Sequence, residues 1–518
     1  MVYFPLRSIV TVLLATSAAA CVSVSQKAGE ERVKALVQAS GAASSGIDVY
    51  RDRTTAADRT REVLAAPLTP QAAIELSFLN NPRMASDFAQ LQLSQSDVVA
   101  ASRLQNPVVS GSRTDGGGSH ISVFAISQNL SSLILLSVRK RFASGNYERA
   151  LELAASSIIN LSADVEQAWL RYVGSEQVAA MRALIATNAE TSSDLAERFN
   201  AAGNISELDL ALEHSAAAQA RIAAIRAGAE ATRSKFVLHQ LMGLTGEPSW
   251  KVTQLLPAPI ETTDALDALL ATAHTRRGDL VAANHEVMLL DDALHLAKRW
   301  RWLGSVDVGV EHDREQDGVR LTGPTISLAL PIFDQGQTGI SRAEGQLAAA
   351  RSRLSALEVE IDNGVRFNFA RVDAARAVAT QYSKYLNPAQ EIIGRRQQQR
   401  QNFMFIGEFE LLLTKQQQYD AYQSYLEAVG DYWLARSDLA RATGGTLPSD
   451  AAIPPATIGV TPLDSPAEQS VGDMPGMPGM DHSAHTGNGD TMAPPQNLGK
   501  PDEHARHATT PADAGEKR

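Results

Sequence analysis

The sequence predicts a mainly α-helical, internally duplicated chain that contributes a few strands to a transmembrane β-barrel. Motifs recur in order at a nearly constant offset: Pro82 corresponds to Gly278, at 278 minus 82 or 196 residues, and Val165 corresponds to Val365. Each copy holds two short segments in which apolar and polar residues alternate. Residues 108–247 contain no proline, which indicates helices too long for any globular core.

Residues 1–20 have the pattern of an export signal, in which Arg7 supplies a positive charge, an apolar run follows and three alanines form a cleavage site. Cys21 follows directly and is the only cysteine in the chain, so we expect it to be acylated as in bacterial lipoproteins. The alternative is an ordinary secretory signal followed by a chance cysteine. Residues 21–67 are then an N-terminal periplasmic segment. A net charge of -11 argues against nucleic acid as a partner.

The first copy covers residues 68–246 and begins with a helix predicted over residues 70–104. Thr69 can cap the N-terminus of this helix. Alternation predicts two strands, over residues 108–113 and 120–128. Residues 147–202 then read as helix almost throughout, on the order of 80 Å long. Helices of this length predict a rod that projects from the strands.

A proline-containing linker over residues 247–264 leads to the second copy, residues 265–445. Its strands are predicted over residues 305–311 and 325–330, with a turn between them. Glu408 corresponds to Glu207, and the closing glycine Gly444 corresponds to Gly243. Chance could produce one such match, but four in the same order indicate a duplication.

The alternating segments place Val, Ile and Leu on one face and Ser, Thr, Asp, Gly and Glu on the other. This pattern is typical of strands with lipid outside and water inside. Four strands in one chain cannot close a barrel, so the sheet edges must be satisfied by other copies and the chain should oligomerise. The alternative is a soluble sheet that rests one face on a core, but no further element is predicted to cover it.

Four segments resemble the TolC family of outer-membrane efflux channels: residues 68–84, 103–110, 327–339 and 431–445. The most specific is SLALPIFDQGQTG, in which Pro331 ends the strand and Gly336 allows the turn into a helix. The resemblance implies a homotrimer in which each protomer gives four strands to one barrel, and a long α-helical barrel in the periplasm. It also implies a periplasmic adaptor, an inner-membrane pump of the RND type and outer-membrane lipid as partners.

The resemblance further implies that two helical turns form the periplasmic tip and contact the adaptor. The residues expected in that contact are Gly203, Asn204, Phe403, Phe405 and Gly407, with the glycines providing the flexibility of the turns. The carboxylates that would form rings at the entrance and favour cations are Glu207, Asp209, Glu408 and Glu410. The alternative is that these are first-turn acids stabilised by the helix dipole. The family's usual Asp after the second turn is Leu413 here.

The predicted function is the exit duct of a tripartite pump, and no enzyme is expected. His285 and Glu286 begin like a zinc-protease helix, but the second His is missing. The run FMFIGEFELL resembles the heavy-metal branch of the family, so copper or silver is the preferred substrate. Drug or solvent efflux is the alternative. A third interpretation is a non-transport coiled-coil adaptor in the periplasm, but the lipid-facing strand pattern argues against it.

The tail, residues 446–518, is rich in Pro, Gly, Ala and Thr and is predicted to be disordered. Within it lie the candidate metal ligands Met474, Met477, Met480, His482 and His485. Thioethers select Cu(I) or Ag(I), and imidazole accepts several metals, so transient metal binding in the periplasm is predicted. Otherwise no cofactor is expected. The alternative is a low-complexity tail without a metal role.

Overall fold

The structure is a computed structural model, and it describes residues 29–41, 53–116, 119–253, 255–302, 304–315, 317–330, 332–405 and 407–453. The predicted acylation site, Cys21, lies outside these residues. The same holds for the five candidate metal ligands of the tail, Met474, Met477, Met480, His482 and His485. The backbone of Glu408 is described but its side chain is not.

The first copy and the segment before it contain seven described helices and two strands. They are α1 (Glu30–Ala39), α2 (Arg53–Leu64), α3 (Pro70–Asn80), α4 (Pro82–Ala101), β1 (Val108–Gly116), β2 (Ser119–Asn129), α5 (Leu130–Ile134), α6 (Leu136–Ala201) and α7 (Glu207–Leu241). Helix α6 has 66 residues, so it is about 100 Å long.

The second copy repeats the order of two helices, two strands and long helices, without a counterpart of α5. Its elements are α8 (Leu266–Arg276), α9 (Gly278–Arg299), β3 (Val306–Arg314), β4 (Arg320–Leu328), α10 (Gln337–Gln381), a π-helical turn (Tyr382–Leu386), α11 (Asn387–Asn402), α12 (Glu408–Ala442) and a 3-10 helix (Pro448–Ala452). Helices α3 and α8 both have 11 residues, and α7 and α12 both have 35. The predicted duplication is therefore present in the lengths and order of the elements.

The helix predicted over residues 70–104 is broken, and this prediction is corrected. Thr69 caps α3 as expected, since its hydroxyl accepts a hydrogen bond from the Ala72 amide at 3.1 Å. The chain then turns extended at Asn81, because the ring of Pro82 disfavours helical backbone in the residue before it. The Asn81 side chain accepts from the Arg83 amide at 3.0 Å and so caps α4.

The long helices differ between the copies at one point. In the first copy α6 runs without interruption, whereas in the second copy a π-helical turn separates α10 from α11. Pro388 lies at the start of α11 and has no amide hydrogen to donate. The π-helical turn lies just before this proline, where the regular hydrogen-bond pattern of an α-helix cannot continue. The long helices of the second copy are therefore less regular than α6.

The four strands form one antiparallel sheet in the order β1-β2-β3-β4. The pairing of β2 with β3, such as Ile126 opposite Val310, joins the two copies. The observed strands extend the predicted ones toward both hairpin turns. The two hairpin turns lie at one end of the sheet. At the other end the chain passes between the strands and the helices. No helix in the described part of the chain is long and apolar enough to cross a membrane.

The core lies where the linker and both closing glycines meet the helices. The Trp169 indole donates to the Leu68 carbonyl at 3.1 Å, and the Trp433 indole donates to the Pro257 carbonyl at 2.7 Å. The linker is therefore fastened along the helices, since Pro257 belongs to it.

The predicted start of the disordered tail at residue 446 is corrected. The Thr446 amide donates to the Ser40 carbonyl at 3.4 Å, and Leu447 is buried. The 3-10 helix that follows packs through Ser449 and Asp450 against Arg436. Residues 446–453 therefore belong to the folded unit, because they cover apolar and charged groups at the end of α12.

Candidate functional site

The first helical turn is the connection between α6 and α7, and it closes the end of α6 with Gly203 in left-handed backbone. The Gly203 amide donates to the Asn200 carbonyl and the Asn204 amide donates to the Phe199 carbonyl, both at 2.8 Å. Gly203 has a φ of 75°. These are the two bonds of a Schellman motif, in which glycine avoids the clash of a Cβ atom.

The second helical turn is the connection between α11 and α12. It forms the same two hydrogen bonds, but Met404 takes the place of Gly203. The Met404 amide donates to the Gln401 carbonyl and the Phe405 amide donates to the Arg400 carbonyl, both at 2.8 Å. Met404 has a φ of 60° and is the only described non-glycine residue with positive φ. The expected role of Gly407 in this turn is corrected, because Gly407 has extended backbone and serves as the N-cap of α12.

We expect Met404→Gly to stabilise the second turn by about 1 kcal/mol, because a non-glycine residue in left-handed backbone is strained. The measurement is hydrogen exchange at the Phe405 amide, which should slow. Met404→Ala is the control, since it removes the side chain and keeps the strain. Equal exchange in wild type and Met404→Gly would contradict this account.

The two turns meet through aromatic rings. The rings of Phe199 and Phe409 have centroids 5.8 Å apart and pack edge to face, at 71°. Phe403, Met404 and Phe405 instead point into solvent, with exposed fractions of 71%, 92% and 73%. The second turn therefore presents a compact apolar surface, whereas the first presents Gly203 and Asn204.

The candidate entrance carboxylates lie in the first turns of α7 and α12 but differ in environment. Asp209 forms a capping box, in which its carboxylate accepts from the Ser206 hydroxyl at 2.7 Å and from the Ser206 amide at 3.2 Å. The Ser206 hydroxyl, and then the Ser206 amide, hold the pKa of the Asp209 carboxyl below its ordinary value. Glu207 and Glu410 are exposed.

The capping box follows a signal that is visible in the sequence, Ser206 with an acid three residues later. Because the carboxyl pKa is lowered, the stability that the box contributes is present at neutral pH and is lost as pH falls through that lowered pKa. Asp209 thus has a structural role that Glu207 and Glu410 do not share.

The sheet has two chemically distinct faces, because residues directly opposite each other in antiparallel strands share a face. One face, called the apolar face, carries Val109, Ile126, Val310 and Pro324 in one row and Val308 with Ile326 in the next. The other, called the polar face, carries Ser, Thr and Asn with the acids Asp307, Glu311 and Asp313 of β3. Toward the hairpin turns it also carries the apolar residues Ile121, Val123 and Leu321. The predicted separation of apolar and polar strand faces is present in the helical half of β3 and β4, whereas both faces are mixed toward the hairpin turns.

Most apolar-face side chains have no cover from the rest of the chain. Ile326 is 76% exposed, and Val310 is 49% exposed. Leu330, Ile332 and Phe333 continue this exposure toward the helices. Within the described ranges, no group of three or more His, Cys, Asp or Glu side chains could hold a metal ion.

The fold is similar to solved outer-membrane channels at low sequence identity. The channel OprN has a TM-score of 0.60 and 15% identity, with 77% of this chain and 94% of that chain covered. The open-state MtrE channel of Neisseria gonorrhoeae has a TM-score of 0.60 and 16% identity, with coverage of 73% and 89%. CusC has a TM-score of 0.59 and 15% identity, with coverage of 73% and 92%.

No family model matches the sequence, and no curated protein matches it. The structural similarity confirms the predicted fold in its coarse form, long helices joined to a small antiparallel sheet. The channels OprN, MtrE and CusC share this arrangement.

Proposed function

We propose that this chain is one protomer of an outer-membrane efflux channel, a passive duct driven by an inner-membrane transporter. The observation that carries the proposal is the sheet, whose exposed apolar face and acidic polar face suit lipid on one side and water on the other. Helix α6, about 100 Å long, and the other long helices project from the end of the sheet opposite the hairpin turns. They would form the periplasmic tunnel.

The proposed assembly is a homotrimer, because β1 and β4 each leave one edge without a partner among the described strands. Three copies would supply enough strands to close one barrel. The test is the mass of the protein purified in detergent. Three chains are expected, and a monomer that keeps its full helical content would contradict the assembly.

The proposed partners are a periplasmic adaptor and an RND-type inner-membrane pump. The surface formed by Phe403, Met404 and Phe405 supports the adaptor contact, because three adjacent apolar side chains in solvent mark an interaction site. Phe403→Ser with Phe405→Ser should abolish cross-linking to the adaptor from cells. Undiminished cross-linking would place the contact elsewhere.

The first-turn acids should make the entrance selective for cations. Neutralising Glu207, Glu408 and Glu410 to Gln should lower cation selectivity in planar-bilayer conductance, and the effect should weaken as salt screens the charges over about 10 Å at 0.1 M. Asp209→Asn should lower cation selectivity as well, because the hydrogen bonds from Ser206 keep the Asp209 carboxylate charged. Unchanged selectivity in the triple variant would place these acids outside the pore.

Copper or silver is the proposed substrate, with drug or solvent efflux as the alternative. The support is the ligand set Met474, Met477, Met480, His482 and His485, which suits Cu(I) and Ag(I). Removing residues 454–518 should reduce copper or silver tolerance and spare trimer assembly, since the fold extends to residue 453. Full metal tolerance in the truncated strain would favour the alternative, a low-complexity tail without a metal role.

A lipid anchor at Cys21 is also proposed, with the channel in the outer membrane and its helices in the periplasm. The support is the small-residue cleavage site before the only cysteine of the chain. Radiolabelled palmitate should enter the wild type and not Cys21→Ser. Label in the variant would exclude this site.

A further inference from the structure

A row of arginines crosses the sheet near its hairpin end. Arg113 lies opposite Ser122, Ser122 lies opposite Arg314, and Arg314 lies opposite Arg320. The row therefore spans all four strands on a single face. Its three arginines are exposed. No mechanism of conduction described above uses them, since they lie on the apolar face and not on the acidic one.

The arginine row borders the apolar surface. On the same face the next row toward the helices contains Phe124, His312 and Thr322, and the rows after it are apolar except for Gln128 opposite Val308. From Val306 at the helical end to Arg314 the strand β3 rises about 27 Å. At the strand tilt of about 35–45° in such barrels this length gives a height of about 20 Å, and the exposed Leu330, Ile332 and Phe333 extend the apolar surface beyond the strands toward the band height of about 25 Å. The arginines thus lie where the band ends at the hairpin side.

The charge of this row is not balanced within the described residues. Arg314 and Arg320 are directly opposite, and like charges in that position destabilise a sheet. Among the described side chains, neither one has an ion pair. Arg113 pairs with Asp115 at 3.2 Å, an exposed contact of little strength.

The acids nearest to Arg314 and Arg320 in the chain are engaged elsewhere or lie apart. Asp313 is on the polar face, because it neighbours Arg314 along the strand. Asp317 accepts from the Val319 amide at 2.9 Å within the turn. Glu315 follows Arg314 and forms no ion pair in the described part of the chain. An anion from outside the chain would therefore relieve the repulsion.

We propose that this arginine row binds the phosphate groups of lipid headgroups in the leaflet at the hairpin end of the barrel. Guanidinium groups bind phosphate oxygens through paired hydrogen bonds, and an adjacent apolar surface accepts the acyl chains. Several guanidinium groups in one row favour a headgroup with net negative charge over a zwitterionic one, whose phosphate is already balanced by a cationic group. The inference rests on the proposed function, because it requires the sheet to be embedded in a membrane.

The test uses the full-length protein purified in non-ionic detergent. Its affinity is measured for lipid A and for dephosphorylated lipid A in mixed micelles. The wild type should prefer the phosphorylated lipid. Each Arg→Gln change at positions 113, 314 and 320 should weaken its binding roughly fivefold, and the triple variant on the order of a hundredfold, as expected for basic residues at an anionic surface.

Two further variants serve as controls for the position and the charge of the arginines. Arg366→Gln removes the same charge from an exposed position on α10, about 40 Å along the helix from its start near the sheet, and should leave the affinity unchanged. Arg314→Lys with Arg320→Lys should retain most of the binding. Because the three positions are exposed, the Gln variants should assemble normally, which the mass in detergent verifies.

The outcomes separate this proposal from the proposed function. A protein that conducts in planar bilayers but binds both lipid forms equally, or binds phosphorylated lipid equally well in the triple variant, overturns the lipid site alone. A protein that forms no conducting assembly overturns the proposed function itself.

Discussion

Gly243→Ala should lower the free energy of unfolding by about 3 kcal/mol or more, since two costs combine. Gly243 has a φ of 71°, and an alanine there is strained by roughly 1–3 kcal/mol. A Cβ atom would also lie 2.5 Å from the backbone carbonyl of Asn80 and 2.7 Å from the Asn81 amide nitrogen. Backbone atoms at the junction of α3 and α4 cannot move aside, so overpacking adds to the strain.

The matched control is Gly203→Ala at the first helical turn. Gly203 also has positive φ, but a Cβ atom there meets nothing within 4 Å. Only the backbone strain remains, so the control should lose about 1 kcal/mol. Thermal unfolding of the helical signal in detergent measures both. Equal losses would show that the contact between the end of α7 and the α3–α4 junction is not tight.

Arg436→Met should also be damaging, because it breaks an ion pair whose arginine is buried. The Arg436 side chain is 6% exposed, and its guanidinium contacts Asp450 at 2.7 Å. It also donates to the Ser449 hydroxyl at 2.8 Å. The Asp450 side chain left behind is 33% exposed, so the cost should lie below the roughly 3–5 kcal/mol of a fully buried pair. Thermal unfolding and protease cleavage after residue 445 should both report the loss.

Arg371→Met is the control for Arg436→Met. Arg371 pairs with Asp438 at 2.9 Å, but its side chain is 43% exposed, so water already screens the pair. Its loss should cost less than about 1 kcal/mol. A cost as large as that of Arg436→Met would mean that burial does not decide the strength of these pairs.

Much of the fold was predictable because its strongest signals are local. The Thr69 cap, the strand alternation and the closing glycines Gly243 and Gly444 can all be read from short segments. The break at Pro82 was predictable in principle, since proline restricts the residue before it, yet the apolar pattern continues across it.

Other features depend on contacts between distant segments and could not be read locally. Met404 occupies left-handed backbone, which propensity disfavours, and only its alignment with Gly203 at the repeat offset points to it. The arginine row depends on hairpin register, because Arg113, Arg314 and Arg320 are far apart in sequence and meet only through strand pairing. The start of the tail was misplaced because short polar stretches give no periodic signal.

Conductance across a planar bilayer tests the central claim most directly. The full-length protein, purified in non-ionic detergent as an assembly, should insert and give discrete current steps with cation selectivity. Extraction of the native protein from membranes should require detergent. A folded, helical protein that stays in aqueous buffer without detergent and produces no current steps would contradict the claim that this chain forms an outer-membrane duct.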